Sequence, residues 1–230
     1  GKTTVLEIGA EGLPLEIEGE FIGKPLRFFD HEGQLIALQG VHAMTEPGPY
    51  MLTLTGKVGG DEFSFSQFVR VEDGGYERES FSVDPTYLDQ TVDKAESAFV
   101  AALTAGATPE KLWNGYFIKP TPFDIFINSY FGTRRSYNGS EFDYFHAGLD
   151  FGGGTGTEVI CPANGVVVFA GPLDIRGNAT IIDHGWGIYT GYFHQSEMMV
   201  KEGDTVQEGQ IIGIVGNTGR STGAHLHWEV

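Results

Sequence analysis

Cysteine is nearly absent from this sequence. Cys161 stands alone, so no internal disulfide can form and no thiolate cluster can hold a metal. Its neighbours Ile160 and Pro162 mark it as a small buried hydrophobe rather than a nucleophile. Basic residues are also scarce: 14 Lys and Arg stand against 31 Asp and Glu, a formal charge of −17. That balance excludes a surface built for nucleic-acid phosphates or an anionic membrane. Long apolar runs are missing as well. No stretch nears the roughly 18 residues of a transmembrane helix, and no charged-then-apolar secretion signal opens the chain, so a signal peptide or anchor is expected to have been removed. No His-Glu-x-x-His occurs, which removes the glutamate base of the common helical zinc proteases.

What is abundant is glycine and β-forming residues. The 34 glycines and the many Val, Ile and Thr runs separated by Gly, Pro, Asn and Asp point to short strands joined by tight turns. The expected fold is mostly β, and 230 residues suit two domains. Residues 1–83 alternate in short segments, at 3–8, 13–18, 25–29, 35–39, 50–55 and 62–71, punctuated by Glu46-Pro47-Gly48-Pro49 and Val58-Gly59-Gly60-Asp61. This spacing predicts an immunoglobulin-like β-sandwich. His31 and His42 lie there without metal-ligand spacing and are expected to be structural or surface residues.

Residues 84–110 read as a linking helix. Leu88, Val92, Ala95, Phe99 and Leu103 recur at helical spacing, with Asp84 as N-cap, Pro85 at the first helical position and Gly106 as the stop. From 111 to 230 aromatics and glycines become denser, and strands are clearest at 166–170, 180–183, 188–194 and 210–215.

Five of the seven histidines fall between 146 and 227. His146 and Asp150 share a face whether their segment is helical or extended, and His225 and His227, two apart in a strand-like run, project from one face of a sheet. His146, Asp150 and one of the last pair would form a three-ligand zinc site with an open fourth position, which means catalysis rather than structure. Soft ligands are absent, and imidazoles with a carboxylate suit zinc best. Proton transfer then falls to His194 and to whichever of His225 and His227 leaves the metal free. His184, in Asp183-His184-Gly185, is expected to be structural, and Glu229 to form a salt bridge, to support a ligand or to lie in solvent rather than to bind the metal.

Over roughly residues 127–230 the chain resembles the lysostaphin-type (LytM-type) zinc endopeptidases, which cut peptide stems or cross-bridges of bacterial peptidoglycan. The resemblance rests on Ser129-Tyr130-Phe131-Gly132, His146-Ala147-Gly148-Leu149-Asp150, Gly156-Thr157-Glu158-Val159, Asn164-Gly165-Val166-Val167, Asp183-His184-Gly185, Tyr192-Phe193-His194, Gly203-Asp204-Thr205-Val206 and Gly216-Asn217-Thr218-Gly219 through His225-Leu226-His227. It implies that 111–230 is an antiparallel β-sheet catalytic domain with a narrow groove. It further implies one Zn2+ per chain, held by His146, Asp150 and His227. His194 and His225 would then orient the attacking water, move protons and stabilise the oxyanion. Implied too are peptidoglycan peptides as substrate and an extracytoplasmic location. Members of the family usually continue for one or two short strands beyond this motif, so the C-terminal edge is expected to be cut short.

Two other readings compete. A non-catalytic or autoinhibited relative would serve as a wall-binding or activator module, but such relatives typically lose a ligand and here all five residues are present. The stretch 200–213 also looks like the half-barrel of biotinyl and lipoyl carriers, yet Lys201 is not placed at a hairpin tip between small residues.

Overall fold

A computed structural model of the chain describes residues 3–9, 15–82 and 90–230. Two compact units emerge, Gly1–Glu77 and Arg78–Val230.

The first unit contains β1 (Thr3–Gly9), β2 (Leu15–Phe21), β3 (Lys24–Pro25), β4 (Phe28–His31), β5 (Gln34–Gly40), β6 (Gly48–Val58) and β7 (Asp61–Val71). They form two sheets, ordered β1-β5-β4 and β3-β2-β6-β7. Phe21, Leu52 and Leu54 from one sheet and Ala37 from the other share a single core with Leu26, so the sheets are layered as in a sandwich. The strand order is not that of an immunoglobulin domain, in which the second strand lies beside the first and fifth. The reason is local. Phe21 pairs with Lys24 across Ile22 and Gly23, whose φ values of 54° and 68° make a two-residue hairpin turn. That turn ties β2 to β3 within one sheet, and the strand expected over 25–29 is split between the two sheets around the buried Leu26. His42 accepts the Met44 N–H on Nδ1 at 3.1 Å, a local turn contact.

The second unit holds β8 (Arg78–Phe81), α1 (Gln90–Leu103), β9 (Ile127–Ser129), β10 (Arg134–Tyr137), β11 (Tyr144–Phe145), β12 (Leu149–Phe151) and β13 (Glu158–Ile160). It continues with β14 (Gly165–Leu173), β15 (Gly177–Asp183), β16 (Tyr189–Met198), β17 (Thr205–Val206), β18 (Ile211–Val215) and β19 (Leu226–Glu229). Nine strands form one sheet along the path β17-β14-β15-β16-β19-β12-β9, with β18 bridging β16 and β13. Every pairing in it is antiparallel. A smaller sheet, β11-β10-β8, has β8 parallel to β10. Phe151, Val159, Val167, Ile182, Tyr192, Val206, Ile212 and Leu226 pack as the core, each at most 3% exposed. Cys161 is sealed within it, and burial pushes its thiol up to about 11, so it behaves as an inert hydrophobe. Among the described residues no helix is long and apolar enough to cross a membrane.

The helix buries only part of its apolar spacing. Its start at Asp84-Pro85 lies outside the described residues. Val92 and Phe99 of the expected stripe are exposed, whereas Glu96 is buried and Val100 and Leu103 pack against Ala179, Ile181 and Phe193 of the sheet. Glu96 is buried because its carboxylate accepts the backbone N–H groups of Ile175 at 2.8 Å and Arg176 at 3.0 Å. These bonds offset the cost of burying the charge.

His184 is fully buried and structural. Its Nδ1–H donates to the Asn164 carbonyl at 2.8 Å, its Nε2 accepts from the Thr190 hydroxyl at 2.7 Å, and its ring lies against Phe117. Burial holds its pKa below the ordinary 6.5, although the Asn164 carbonyl and the adjacent Asp183 carboxylate pull the other way. The unfolded chain therefore takes up this proton first as pH falls. The contribution of His184 is complete above pH about 6.5 and is lost progressively below it. Between pH about 7 and about 5, the stability advantage of the wild type over His184→Gln should shrink in denaturant titrations; an advantage that stays constant would show that His184 is protonated in the native core.

Candidate metal centre

The site is assembled on one face of the nine-stranded sheet. Asp150 on β12 lies directly opposite His227 on β19, while their neighbours Phe151 and Leu226, also paired, point into the core. Strand alternation therefore sends the carboxylate and the imidazole to the opposite face. His146 follows β11 and is fixed by two backbone hydrogen bonds, from Gly132 N–H to its carbonyl at 2.8 Å and from its own N–H to Thr133 O at 2.9 Å.

Three donor atoms converge there. His146 Nε2 and His227 Nδ1 lie 3.0 Å apart, and Asp150 Oδ1 is 3.0 Å from the first and 2.7 Å from the second. The far nitrogen of each ring is occupied. His146 Nδ1–H donates to the Tyr130 carbonyl at 3.0 Å, with Ser129 Oγ at 3.2 Å, and Arg135 Nη2 holds that hydroxyl at 3.0 Å. His227 Nε2–H donates to Glu229 Oε1 at 3.0 Å. The nitrogens that face Asp150 are the ones a metal would take, the arrangement of metal-ligating histidines backed by carbonyl or carboxylate partners. Tetrahedral donors about 2.0–2.2 Å from zinc would stand about 3.3 Å apart, so the set fits a small divalent ion after a slight outward movement.

The charges agree with such a site. Burial by itself would raise the Asp150 carboxyl, but hydrogen bonds from His146 and His227 hold it well below the usual carboxylate range. Burial opposes the imidazolium of His227, yet its bonds to Asp150 and Glu229 outweigh this and raise its pKa to about 9. An incoming cation has to displace that proton, so its affinity rises with pH.

The other two histidines stand beside the donor set. His194 and His225 have ring centroids 4.9 Å apart. His225 donates Nδ1–H to Gly223 O at 2.8 Å, near Ser221 Oγ at 3.2 Å, and its Nε2 is 3.5 Å from Asp150 Oδ1. His194 donates Nδ1–H to Thr218 O at 2.8 Å. Burial, helped by the nearby His225 and His227 and opposed by the Thr218 carbonyl, lowers its pKa to about 4. It is therefore neutral near pH 7, with Nε2 free to accept a proton. Its backbone sits at φ 62°, beside a register shift between β15 and β16. This left-handed conformation costs a non-glycine residue on the order of 1 kcal/mol and persists only when its surroundings enforce it.

All five residues singled out from the sequence are thus brought together, with Glu229 in contact with His227. Ser129 and Arg135 were not foreseen as contributors. Ser129 belongs to a quoted motif, but neither hydroxyl nor guanidinium carries a spacing signal toward His146.

A His-Asp-His donor set beside two further imidazoles, on one face of an antiparallel sheet, has the residue types of the site of a metal-dependent hydrolase. Residues 144–230 match peptidase family M23. The chain is 42% identical over 104 residues to the peptidoglycan DD-endopeptidase ShyA of Vibrio cholerae, covering 45% of this chain and 24% of that protein. It is 46% identical over 84 residues to the DD-carboxypeptidase/endopeptidase Mpg of Neisseria meningitidis, covering 36% of this chain and 19% of the other. The match thus spans about a quarter or less of these curated relatives. A solved Pseudomonas aeruginosa structure assigned to the M23 peptidases superposes with a TM-score of 0.68 at 27% identity, covering 97% of this chain and 86% of that one. The resemblance to lysostaphin-type enzymes is borne out over residues 144–230, which match peptidase family M23.

Close packing of β19 beneath the site depends on Gly148, where a Cβ would lie 2.3 Å from Trp228 O and 3.0 Å from His227 Nε2. Gly148→Ala should destabilise the fold by about 2 kcal/mol and weaken metal binding by displacing His227. Thermal unfolding and competition with a chelator measure the two effects; an alanine variant matching the wild type in both would contradict this packing.

Proposed function

We propose that this chain is a zinc-dependent endopeptidase that hydrolyses peptide bonds in the stems or cross-bridges of bacterial peptidoglycan. One Zn2+ would be held by His146, Asp150 and His227. The observation that carries the reading is the convergence of three donor atoms within 3.0 Å of one another, next to a histidine whose pKa is lowered to about 4. ShyA and Mpg are both named as endopeptidases, which supports the reaction, and ShyA is named for peptidoglycan, which supports the substrate.

Zinc in such a site polarises the scissile carbonyl and lowers the pKa of water. His194, neutral and steadied on Nδ1 by Thr218 O, accepts the proton of the attacking water at Nε2 and returns it to the leaving amine. The Thr218 carbonyl stabilises the imidazolium that forms in between. His225, held by Gly223 O and Ser221 Oγ, orients the water with its own Nε2. Tyr130 O and Glu229 hold the far nitrogens of His146 and His227, so that the nitrogen of each ring that faces Asp150 is the one that would bind the metal once its proton is displaced. Because peptidoglycan lies outside the cytoplasmic membrane, the chain acts there. The β-sandwich of the first unit serves as an accessory part that recognises or positions on the wall.

His227→Ala should lose zinc and activity together. His225→Ala and His194→Ala should retain zinc and lose about 100-fold or more in rate. Metal analysis and mass spectrometry of fragments released from purified peptidoglycan check both. Loss of zinc from His225→Ala would reverse the roles of the pair, and a zinc-loaded wild type that releases nothing would remove the enzyme reading in favour of a binding or activator module.

A further inference from the structure

Glu96 is the most buried polar side chain described on α1, 7% exposed, and lies outside the metal centre. Its Oε2 accepts the Ile175 N–H at 2.8 Å, and its Oε1 accepts both the Arg176 N–H and Arg176 Nη1, each at 3.0 Å. All three donors belong to the turn between β14 and β15.

That turn reaches His194 by two routes. Arg176 O accepts the His194 N–H at 2.8 Å. Ile175 O accepts the Arg220 N–H at 2.8 Å, at one end of a loop whose Thr218 carbonyl takes the Nδ1–H of His194. The Thr218 hydroxyl also accepts the Asn178 N–H at 2.9 Å and donates to Gln195 O at 2.8 Å, closing the loop against both strands. His194 sits at φ 62°, a conformation its own preferences oppose, so bonds from outside its strand must hold it. The bonds from Arg176 O and Thr218 O come from the turn and the loop.

We infer that Glu96 is a positioning residue for the proposed peptidase: through the turn between β14 and β15 it holds His194 in the orientation and tautomer that leave Nε2 facing the metal centre. This inference rests on the peptidase reading of the site. A carboxylate suits the task because three donors converge on its two oxygens. A glutamine offers one acceptor oxygen and sets its own N–H groups against a donor. The helix that enters the second unit ahead of the sheet is thereby part of the catalytic geometry, not only a connection.

The test uses the full chain with Glu96→Ala and the near-isosteric Glu96→Gln, each alone and combined with His194→Ala, well below the melting temperature. Zinc content, kcat and KM on muropeptides, and the imidazole 15N signals of His194 are measured. Zinc content should stay at the wild-type level and kcat should fall about tenfold or more with KM changed less than about twofold. The Glu96 substitution should cost nothing further in the His194→Ala background. The His194 signals should move from a single Nδ1–H tautomer toward a mixture. If Glu96→Ala does not fold, Glu96→Gln carries the same readouts. An unchanged tautomer, or an equal fractional loss of rate with and without His194, overturns the inference and leaves Glu96 as a helix-docking residue. A wild type that cleaves nothing defeats the peptidase reading instead, and the tautomer comparison then still decides whether Glu96 positions His194.

Discussion

Asp150 and His227 face each other across the β12–β19 ladder, and the rest of the site depends on that register. Side chains alternate along a strand, so a slip of one residue would bring Phe151 and Leu226 to the site face and turn both polar groups into the core. The core residues prevent this, since Phe151 and Leu226 are almost wholly buried and could not be exposed without losing that burial. Packing beneath the sheet thus fixes chemistry above it. His146 joins from outside the ladder, through backbone bonds to Gly132 and Thr133, so a pair of donors four residues apart meets a third that lies 77 positions beyond Asp150.

Two of the buried histidines illustrate how surroundings assign roles. His184 and His194 both have lowered pKa values with burial as the leading cause, and both donate Nδ1–H to a backbone carbonyl. His184 also has its Nε2 occupied, by Thr190, and is enclosed beside Phe117; it has no nitrogen left for chemistry. His194 has Nε2 uncommitted and stands next to His225 and the donor set. Lowering a pKa is common to both, while access distinguishes them. The conformational strain at His194 is met by contacts with neighbouring turns, consistent with strain gathering where function needs a side chain held off its preferred course.

Much of this was legible along the chain. The β-rich character, the principal strands of the second unit and the glycine turns followed from alternation and turn chemistry. The Gly59-Gly60 turn, for example, joins β6 and β7 with Val58 opposite Asp61. Other features could not be read along the chain, for identifiable reasons. The strand order within the sandwich was not legible, because the Ile22-Gly23 hairpin, an unremarkable pair in sequence, commits β2 and β3 to one sheet. The burial of Glu96 was not legible because a glutamate at a helical position ordinarily marks the solvent side, and only the turn between β14 and β15 reveals why Glu96 points inward.

The sequence by itself determined the kinds of donor available and the local directions in which they point. Absent thiolates left imidazole and carboxylate as ligands, and the two-residue spacing of His225 and His227 put both rings on one face, because strand geometry is set by nearest neighbours. Spacing could not divide that pair between two tasks. In the folded chain His227 Nδ1 lies 2.7 Å from Asp150 Oδ1, whereas His225 Nε2 stands 3.5 Å away with its ring turned toward His194. That distinction arises from strand pairing and loop contacts between residues up to about eighty positions apart. Only tertiary packing brings such atoms together, and so only the tertiary structure decided it.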